Sequence, residues 1–180
     1  MNKKEWKETI KMEEKKRFEE LTEIFRKYGA NDPELWAHSA MHETPPHRIN
    51  QLARFSLLKA LTSEVLKDRD VEWVNIQLGH IDNNEGAPLS QLAPAIKEMI
   101  DKGVSKEAVI DLVRVIQYET LFHVLMVLEG ETNVETPVNR WAVFEKDEND
   151  NPTKEIHGLH ESLLGFDPSD REFRPRLKEL

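Results

Sequence analysis

The sequence predicts a mainly α-helical fold: a helical bundle around one buried central helix, with a small C-terminal β-hairpin and an extended tail. Three observations predict it. Apolar residues recur at intervals of three and four through most of the first 130 residues. Capping residues and helix-ending glycines separate these stretches from one another. Short segments typical of strands occur only after Gly130.

Residues 3–28 are predicted to form the first helix. Its apolar stripe is thin, because Glu and Lys fill most other positions of the segment; the stripe consists of Phe18, Leu21, Phe25 and Tyr28. We therefore interpret residues 1–30 as a charged N-terminal helix that is either an extension or a dimer contact. Residues 31–180 are interpreted as a single helix-rich domain.

The next two helices are indicated by proline-containing starts. The segment 32–34 provides an N-cap aspartate, a first-turn proline and a first-turn glutamate, which predicts a short helix to about Glu43. Thr44 and the two prolines after it end that helix and can begin another. That third helix is predicted to run from about residue 47 to residue 67.

Two further helices are shorter. The segment 71–78 is predicted to form one of them, ended by Gly79. A loop over 82–88 follows, and a helix capped by Ser90 is expected to continue to Lys102 before Gly103.

The strongest helical pattern runs from Lys106 to Glu129, between a capping Ser105 and Gly130. Apolar residues lie on nearly every face of this segment. A helix of that kind is typically enclosed by others. We expect it to form the centre of the fold.

The C-terminal segments are predicted to be a hairpin and a clasp. Residues 139–147 and 153–157 read as two strands around a turn. Beyond them, Asp167 precedes a proline and can accept backbone N–H groups that follow it. The residues from 170 onward alternate in charge, so we expect the tail to lie across the helices, anchored inward by Leu163, Leu164 and Phe166.

Composition narrows the functional classes. The chain has no cysteine and a net charge of −9, and all of the acidic excess lies in the 150 residues that follow the first 30. Nucleic-acid binding is disfavoured by this charge, whereas a basic protein partner suits it. Neither a membrane-spanning segment nor a secretory signal is recognisable, so a cytoplasmic location is expected.

Two pairs of residues are candidates for a metal site. His38 and His42 are one helical turn apart, as are Glu119 and His123 on the central helix. Together they could bind zinc, iron or manganese in the core of the bundle. The alternative is structural: Glu119 and His123 satisfy each other as a charge-assisted pair, and His38 and His42 cap carbonyls near a helix end and face water.

A second candidate site is a polar patch on the central helix. Arg114, Gln117 and Tyr118 could bind a small anion or another small ligand. Asp111 could pair directly with Arg114. In the alternative interpretation, Arg114 is a structural anchor held by two acceptors, one of them a carboxylate of the hairpin or the tail.

Several parts of the sequence resemble a small family of uncharacterised bacterial proteins, a domain of unknown function. They are NQLARF at 50–55, DLVRVIQYETLFHVLMVLEG at 111–130, WAVFEKDENDNPTKEIHGLHESLL at 141–164 and DPSDREFRP at 167–175. The family pattern has Thr-Gly where this chain has Ser169 and Asp170, and methionine where it has Phe173. The resemblance implies a bacterial cytoplasmic protein and brings no catalytic residues or cofactor with it.

No motif of nucleophilic catalysis or of phosphate binding occurs in the sequence, and no cofactor is predicted. The leading hypothesis is a non-enzymatic module that binds or regulates a protein partner, as immunity and accessory proteins do. A metal-dependent enzyme and a small-ligand binder are the alternatives. Self-association through the N-terminal helix is a separate expectation.

Overall fold

The computed structural model describes residues 3–42, 50–81, 92–131, 142–167, 169 and 171–175, with side chains described from residue 11 onward. This part of the chain is mainly helical and carries one small antiparallel hairpin, which confirms the predicted fold class. The helices are α1 (Lys3–Lys27), α2 (Pro33–His42), α3 (Gln51–Ser63), α4 (Val71–Gly79), α5 (Leu92–Asp101), α6 (Lys106–Leu128), α7 (Leu159–Ser162) and a 3₁₀ helix, η1 (Leu163–Phe166). The strands are β1 (Val143–Lys146) and β2 (Pro152–Ile156).

The chain forms two compact units, each built from two stretches of sequence. The first unit contains residues 1–59 and 126–162, and the second contains residues 60–125 and 163–180. Helix α1 belongs to the first unit together with α2. The boundary expected near residue 30 stays a prediction.

Three aromatic rings form the centre of the first unit. Phe25 of α1 is fully buried and lies 5.7 Å from the ring of Trp36 and 5.5 Å from that of Phe55, between ring centroids. The rings of Trp36 and Phe55 meet edge to face at 5.3 Å. Offset and edge-to-face contacts of this kind add to the stabilisation that burial of the rings provides.

Local signals fix the turn between α1 and α2. Gly29 has a φ of +78°, a left-handed conformation in which glycine is favoured, and its N–H donates to the carbonyl of Arg26. The carboxylate of Asp32 then accepts the backbone N–H of Leu35 at 2.9 Å. The predicted N-cap of α2 is confirmed.

The hairpin also lies in the first unit. Strands β1 and β2 pair antiparallel with Val143 opposite Ile156, whose side chain is buried. The carboxylate of Asp147 closes the turn by accepting the backbone N–H groups of Asn149 and Asn151. The beginning of the predicted first strand, residues 139–141, lies outside the described residues.

The second unit has an aliphatic core between α4, α5 and α6. Two caps position these helices: Asp70 accepts the backbone N–H of Trp73, and Ser105 accepts that of Ala108, both at 3.2 Å. The predicted caps Thr44 and Ser90 lie outside the described residues. The buried core consists of Leu66, Val74, Ile96, Val109 and Ile110.

Helix α6 is less enclosed than its sequence predicts. Val109 and Ile110 are fully buried, but Leu112 and Ile116 are 50% and 52% exposed. Val124 is nearly as exposed, at 47%. The apolar residues of α6 therefore serve more than one surface, and only part of the helix is core.

Helix α3 ends at Ser63, four residues before its predicted end at Lys67. The reason lies in α6. The side chain of Gln117 accepts the backbone N–H of Leu66 at 2.8 Å, and Arg114 donates to the carbonyl of Leu66 at 3.0 Å. The first of these tertiary hydrogen bonds takes the N–H that a longer α3 would have used within the helix, and the second satisfies a carbonyl that a helix ending at Lys67 would have left unpaired.

The tail differs locally from the extended strip that was expected. Residues 159–166 form α7 and η1, and the described residues beyond them form turns. Leu163 is fully buried, as predicted, whereas Leu164 is 38% exposed.

We expect Phe25→Ala to lower the free energy of unfolding by about 3–5 kcal/mol, because it leaves a cavity between two aromatic rings. Urea denaturation followed by circular dichroism measures this change. Leu35→Ala is the control in the same unit, since Leu35 is 60% exposed, and we expect it to change stability by less than about 0.5 kcal/mol. Equal effects of the two substitutions would contradict the aromatic centre of the first unit.

Candidate functional site

The second unit contains a buried cluster of charges centred on Arg114, whose side chain is 2% exposed. Its Nε donates to the carbonyl oxygen of Leu66 at 3.0 Å, and its Nη1 donates to Asp68 at 3.2 Å. Its Nη2 donates to Asp167 at 2.8 Å. Two carboxylates and a carbonyl thus neutralise and solvate a guanidinium that water does not reach.

Asp167 connects this cluster to the tail. Its carboxylate is fully buried and also accepts the N–H and hydroxyl of Ser169 at 2.9 and 2.7 Å, and the N–H of Phe173 at 2.6 Å. Burial alone would raise the pKa of Asp167, but these hydrogen bonds and the charge of Arg114 outweigh it and hold the pKa below the ordinary value. Asp167 is therefore an anion at neutral pH.

Arg171 extends the cluster toward the surface. Its Nη2 lies 2.6 Å from the carboxylate of Asp68 and 3.8 Å from that of Asp111. From the sequence alone, Asp111 could pair directly with Arg114. The carboxylates that bind Arg114 in the structure are Asp68 and Asp167, and the expectation that the tail would supply one of them is confirmed.

The structure brings the three predicted ligand-binding residues together, and each of them contacts other residues of this chain. Gln117 accepts the N–H of Leu66, and Tyr118 stacks on Phe173 with centroids 4.8 Å apart and planes 12° apart. The pKa of Tyr118 is raised, first by burial and then by the negative charge of Glu172. With Arg114 held by three acceptors, these contacts favour the interpretation of the patch as an anchor for the tail.

The four candidate metal ligands fall into two separate pairs. His38 and His42, both exposed, belong to the first unit; their rings stack at 4.0 Å, and His42 donates from Nδ1 to the carbonyl of His38 at 2.9 Å. Glu119 and His123 belong to the second unit, where Nδ1 of His123 lies 2.7 Å from the carbonyl of Glu119. Within the described ranges, no group of three or more His, Asp or Glu side chains is arranged to bind a metal. A metal site with these four ligands stays a prediction.

A further histidine contact lies in the first unit and was not predicted from the sequence. Glu129 accepts the N–H of Leu159 at 2.7 Å and also binds Nδ1 of His160. Its side chain is 6% exposed. Glu129 lies 31 residues before His160 in the sequence, and no local pattern indicates that pairing.

Two adjoining clefts run along α6 in the second unit. The larger has a volume of about 660 Å³ and is lined by Ser105, Glu107, Ala108, Asp111, Leu112, Val115 and Pro175. The smaller, of about 290 Å³, is lined by Val115, Tyr118, Glu119, Leu164 and the tail residues 172–175. Because Val115 and Pro175 line both, we treat them as one surface, the α6 groove.

Helical periodicity predicted that α6 carries apolar residues on several faces, but it could not show which face would stay uncovered. The α6 groove was therefore missed. The signal that could have suggested it is the spacing of Ala108, Leu112 and Ile116 at four-residue intervals beside Glu107 and Glu119.

Comparisons with known proteins add no functional information. No protein-family model, no curated protein sequence and no solved structure matches the chain. The resemblance to an uncharacterised bacterial family stays a prediction. None of the helices among the described residues is sufficiently long and apolar to cross a lipid bilayer.

Asp167→Asn removes the charge that balances Arg114, and we expect it to lower the free energy of unfolding by about 3 kcal/mol at pH 7. Because the pKa of Asp167 is lowered in the folded protein, its contribution is complete above about pH 4, the ordinary range of aspartate, and is lost as the pH falls through the folded pKa. The difference between wild type and variant should therefore shrink in acid. Urea denaturation between pH 7 and pH 2.5 measures it.

Asp101→Asn is the matched control, since Asp101 pairs with Lys97 at 2.6 Å on the surface of α5 and is 61% exposed. We expect a loss of less than about 0.5 kcal/mol at pH 7. A loss at Asp167 no larger than this, or one that is the same at all pH values, would contradict the structural role of the buried cluster.

Proposed function

We propose that this chain is a protein-binding module, regulatory or accessory in role, which docks a basic amphipathic segment of a partner protein in the α6 groove. The observation that carries the proposal is the exposure of Leu112 and Ile116. Leu112 is 50% exposed and lines the larger cleft, and Ile116, one helical turn further along α6, is 52% exposed. Exposed apolar side chains of this size are typical of interaction sites, because burying them against a partner is favourable.

The charges around the groove indicate the sign of the partner. Glu107, Glu119 and Glu172 are exposed residues that line it, and Arg174 is the exposed cation among its described lining residues. The net charge of −9 adds a long-range field of the same sign. Such a field would accelerate the approach of a basic segment and disfavour an acidic one.

The dimensions of the groove suit a helix. From Ser105 to Glu119 it follows α6 for about 21 Å, or roughly four turns. An amphipathic helix of that length can place apolar side chains at positions i, i+4 and i+7 against Ala108, Leu112 and Val115, with Lys or Arg on its flanks. The proposed partner segment is therefore about 15 residues long.

The setting of this function is part of the proposal. We propose that the protein acts in the bacterial cytoplasm, as an immunity or accessory protein would. The absence of cysteine from the sequence suits a reducing compartment, and the resemblance of the tail suggests a bacterial source.

Display of random 16-residue peptides against the protein tests the docking surface before the partner itself is identified. We expect the enriched peptides to be basic and amphipathic. We also expect Leu112→Asp to weaken their binding by about tenfold or more, because it places a charge in the apolar floor. Fluorescence anisotropy with the enriched peptides measures the change.

Ile76→Asp is the control, since Ile76 lies on α4 of the same unit and is also 50% exposed but does not line the groove. It should leave peptide affinity unchanged. The proposal would be wrong if no peptides were enriched, if the enriched peptides were acidic, or if the two aspartate substitutions had the same effect.

We further propose that the first half of α1 joins two copies of the chain. All side chains from 11 to 17 are exposed, and Met12 is 71% exposed, so this stretch of the helix has surface available. Deleting residues 1–14 keeps Phe25 and the aromatic centre of the first unit. We expect the mass in solution, measured by light scattering, to fall from dimer to monomer; an unchanged mass would contradict this contact.

A further inference from the structure

The tail wall of the α6 groove contains two consecutive residues in an unusual backbone conformation. Glu172 and Phe173 have φ angles of +53° and +59°. Residues with a Cβ atom rarely adopt this left-handed region, and they keep it only where the surroundings fix it. When such a conformation occurs at a surface that binds, it often serves to place a side chain.

Several contacts hold this conformation. The N–H of Phe173 donates to Asp167 at 2.6 Å, and its ring is buried against Tyr118. The N–H of Arg174 donates to the carbonyl of Arg171 at 2.9 Å, and the guanidinium of Arg171 donates to the carbonyl of Arg174 at the same distance. The turn is fixed from both sides.

As a result, the side chains of residues 172, 173 and 174 are alternately exposed, buried and exposed. Phe173 is 2% exposed, whereas Glu172 and Arg174, on either side of it, are exposed and line the smaller cleft. Their side chains form an ion pair, with 49% of the carboxylate side chain and 75% of the arginine side chain exposed. The carboxylate of Glu172 also acts on the cleft, since its charge contributes to the raised pKa of Tyr118.

We infer that Glu172 is the residue that selects a cationic side chain of the docked segment, and that Arg174 occupies the place of that side chain in the free protein. This inference depends on the proposed docking in the α6 groove. An exposed ion pair contributes little stability, so an arginine of the partner can displace Arg174 at small cost. The carboxylate of Glu119, which lines the same cleft, adds negative charge that favours a guanidinium there.

The test uses a basic peptide obtained from the display experiment and measures its affinity for variants of the full chain. Glu172→Gln should weaken binding by about two- to fivefold, the range expected for one exposed ion pair. Arg174→Gln should strengthen it by a similar factor, because it removes the competitor. In the double variant with Glu172→Gln, the Arg174→Gln substitution should no longer strengthen binding, because the carboxylate for which the two cations compete is absent.

Two controls separate this effect from net charge and from folding. Lys97→Gln and Asp101→Asn alter a surface ion pair on α5 of the same unit by the same charges, and neither should change affinity measurably. Thermal melts of all variants should coincide within a few degrees, because Glu172, Arg174, Lys97 and Asp101 are all exposed.

The outcomes distinguish the inference from the function on which it depends. If Leu112→Asp abolishes binding while Arg174→Gln leaves affinity unchanged or weakens it, the docking surface stands and the role of Glu172 and Arg174 is wrong. That role is equally wrong if Lys97→Gln strengthens binding as much as Arg174→Gln does. If binding does not depend on Leu112, the docking surface and the inference both fail.

Discussion

The second unit depends on the contacts of the buried Arg114 guanidinium. A cation removed from water is costly unless acceptors surround it, and Arg114 finds them in three places: the carbonyl of Leu66, Asp68 and Asp167. These residues come from the segment after α3 and from the tail, so neutralising one side chain brings distant parts of the chain together. The carboxylate of Asp167 also accepts hydrogen bonds from Ser169 and Phe173, and these order the tail.

This dependence links the buried charges to the surface. The turn that Asp167 stabilises is the one that presents Glu172 and Arg174 beside the groove, so the shape of the rim follows from an electrostatic requirement of the interior. Helix α6 contributes to both. Its face with Val109 and Ile110 closes the core, and its face with Leu112 and Ile116 forms an open apolar surface. A helix that reads as apolar all round need not be surrounded, because two separate surfaces can require apolar residues.

The sequence was informative where the determinants are local. Asp32 and Ser105 were predicted as N-caps, and each lies three residues from the backbone N–H that it binds. Asp70 caps α4 in the same way but was not predicted as a cap. The predicted capture of a following N–H by Asp167 is seen at Ser169. Capping residues and turn residues act through short covalent paths, which is why pattern alone identifies them.

The rest of the site depends on contacts between distant positions. Arg114 is 46 residues from Asp68 and 53 from Asp167. The sequence therefore indicated that Arg114 needs two acceptors, but it did not identify both of them. The pairing of Glu129 with His160 across 31 residues is likewise invisible to any local pattern. The exposure of Leu112 depends on which surfaces the neighbouring elements cover, a property of packing that periodicity does not contain.

The two hydrogen bonds at Leu66 have a consequence for natural variation. Arg114 and Gln117 bind the main chain of this residue, through its carbonyl and its N–H, and not its side chain. Evolution can therefore exchange Leu66 for another apolar residue of similar volume, whereas the residue at 114 has to remain a branched donor. A lineage that lost Arg114 would leave the carboxylate of Asp167 buried without a cation, whereas Asp68 would keep its ion pair with Arg171. Positions 114 and 167 are therefore expected to drift together or to stay fixed.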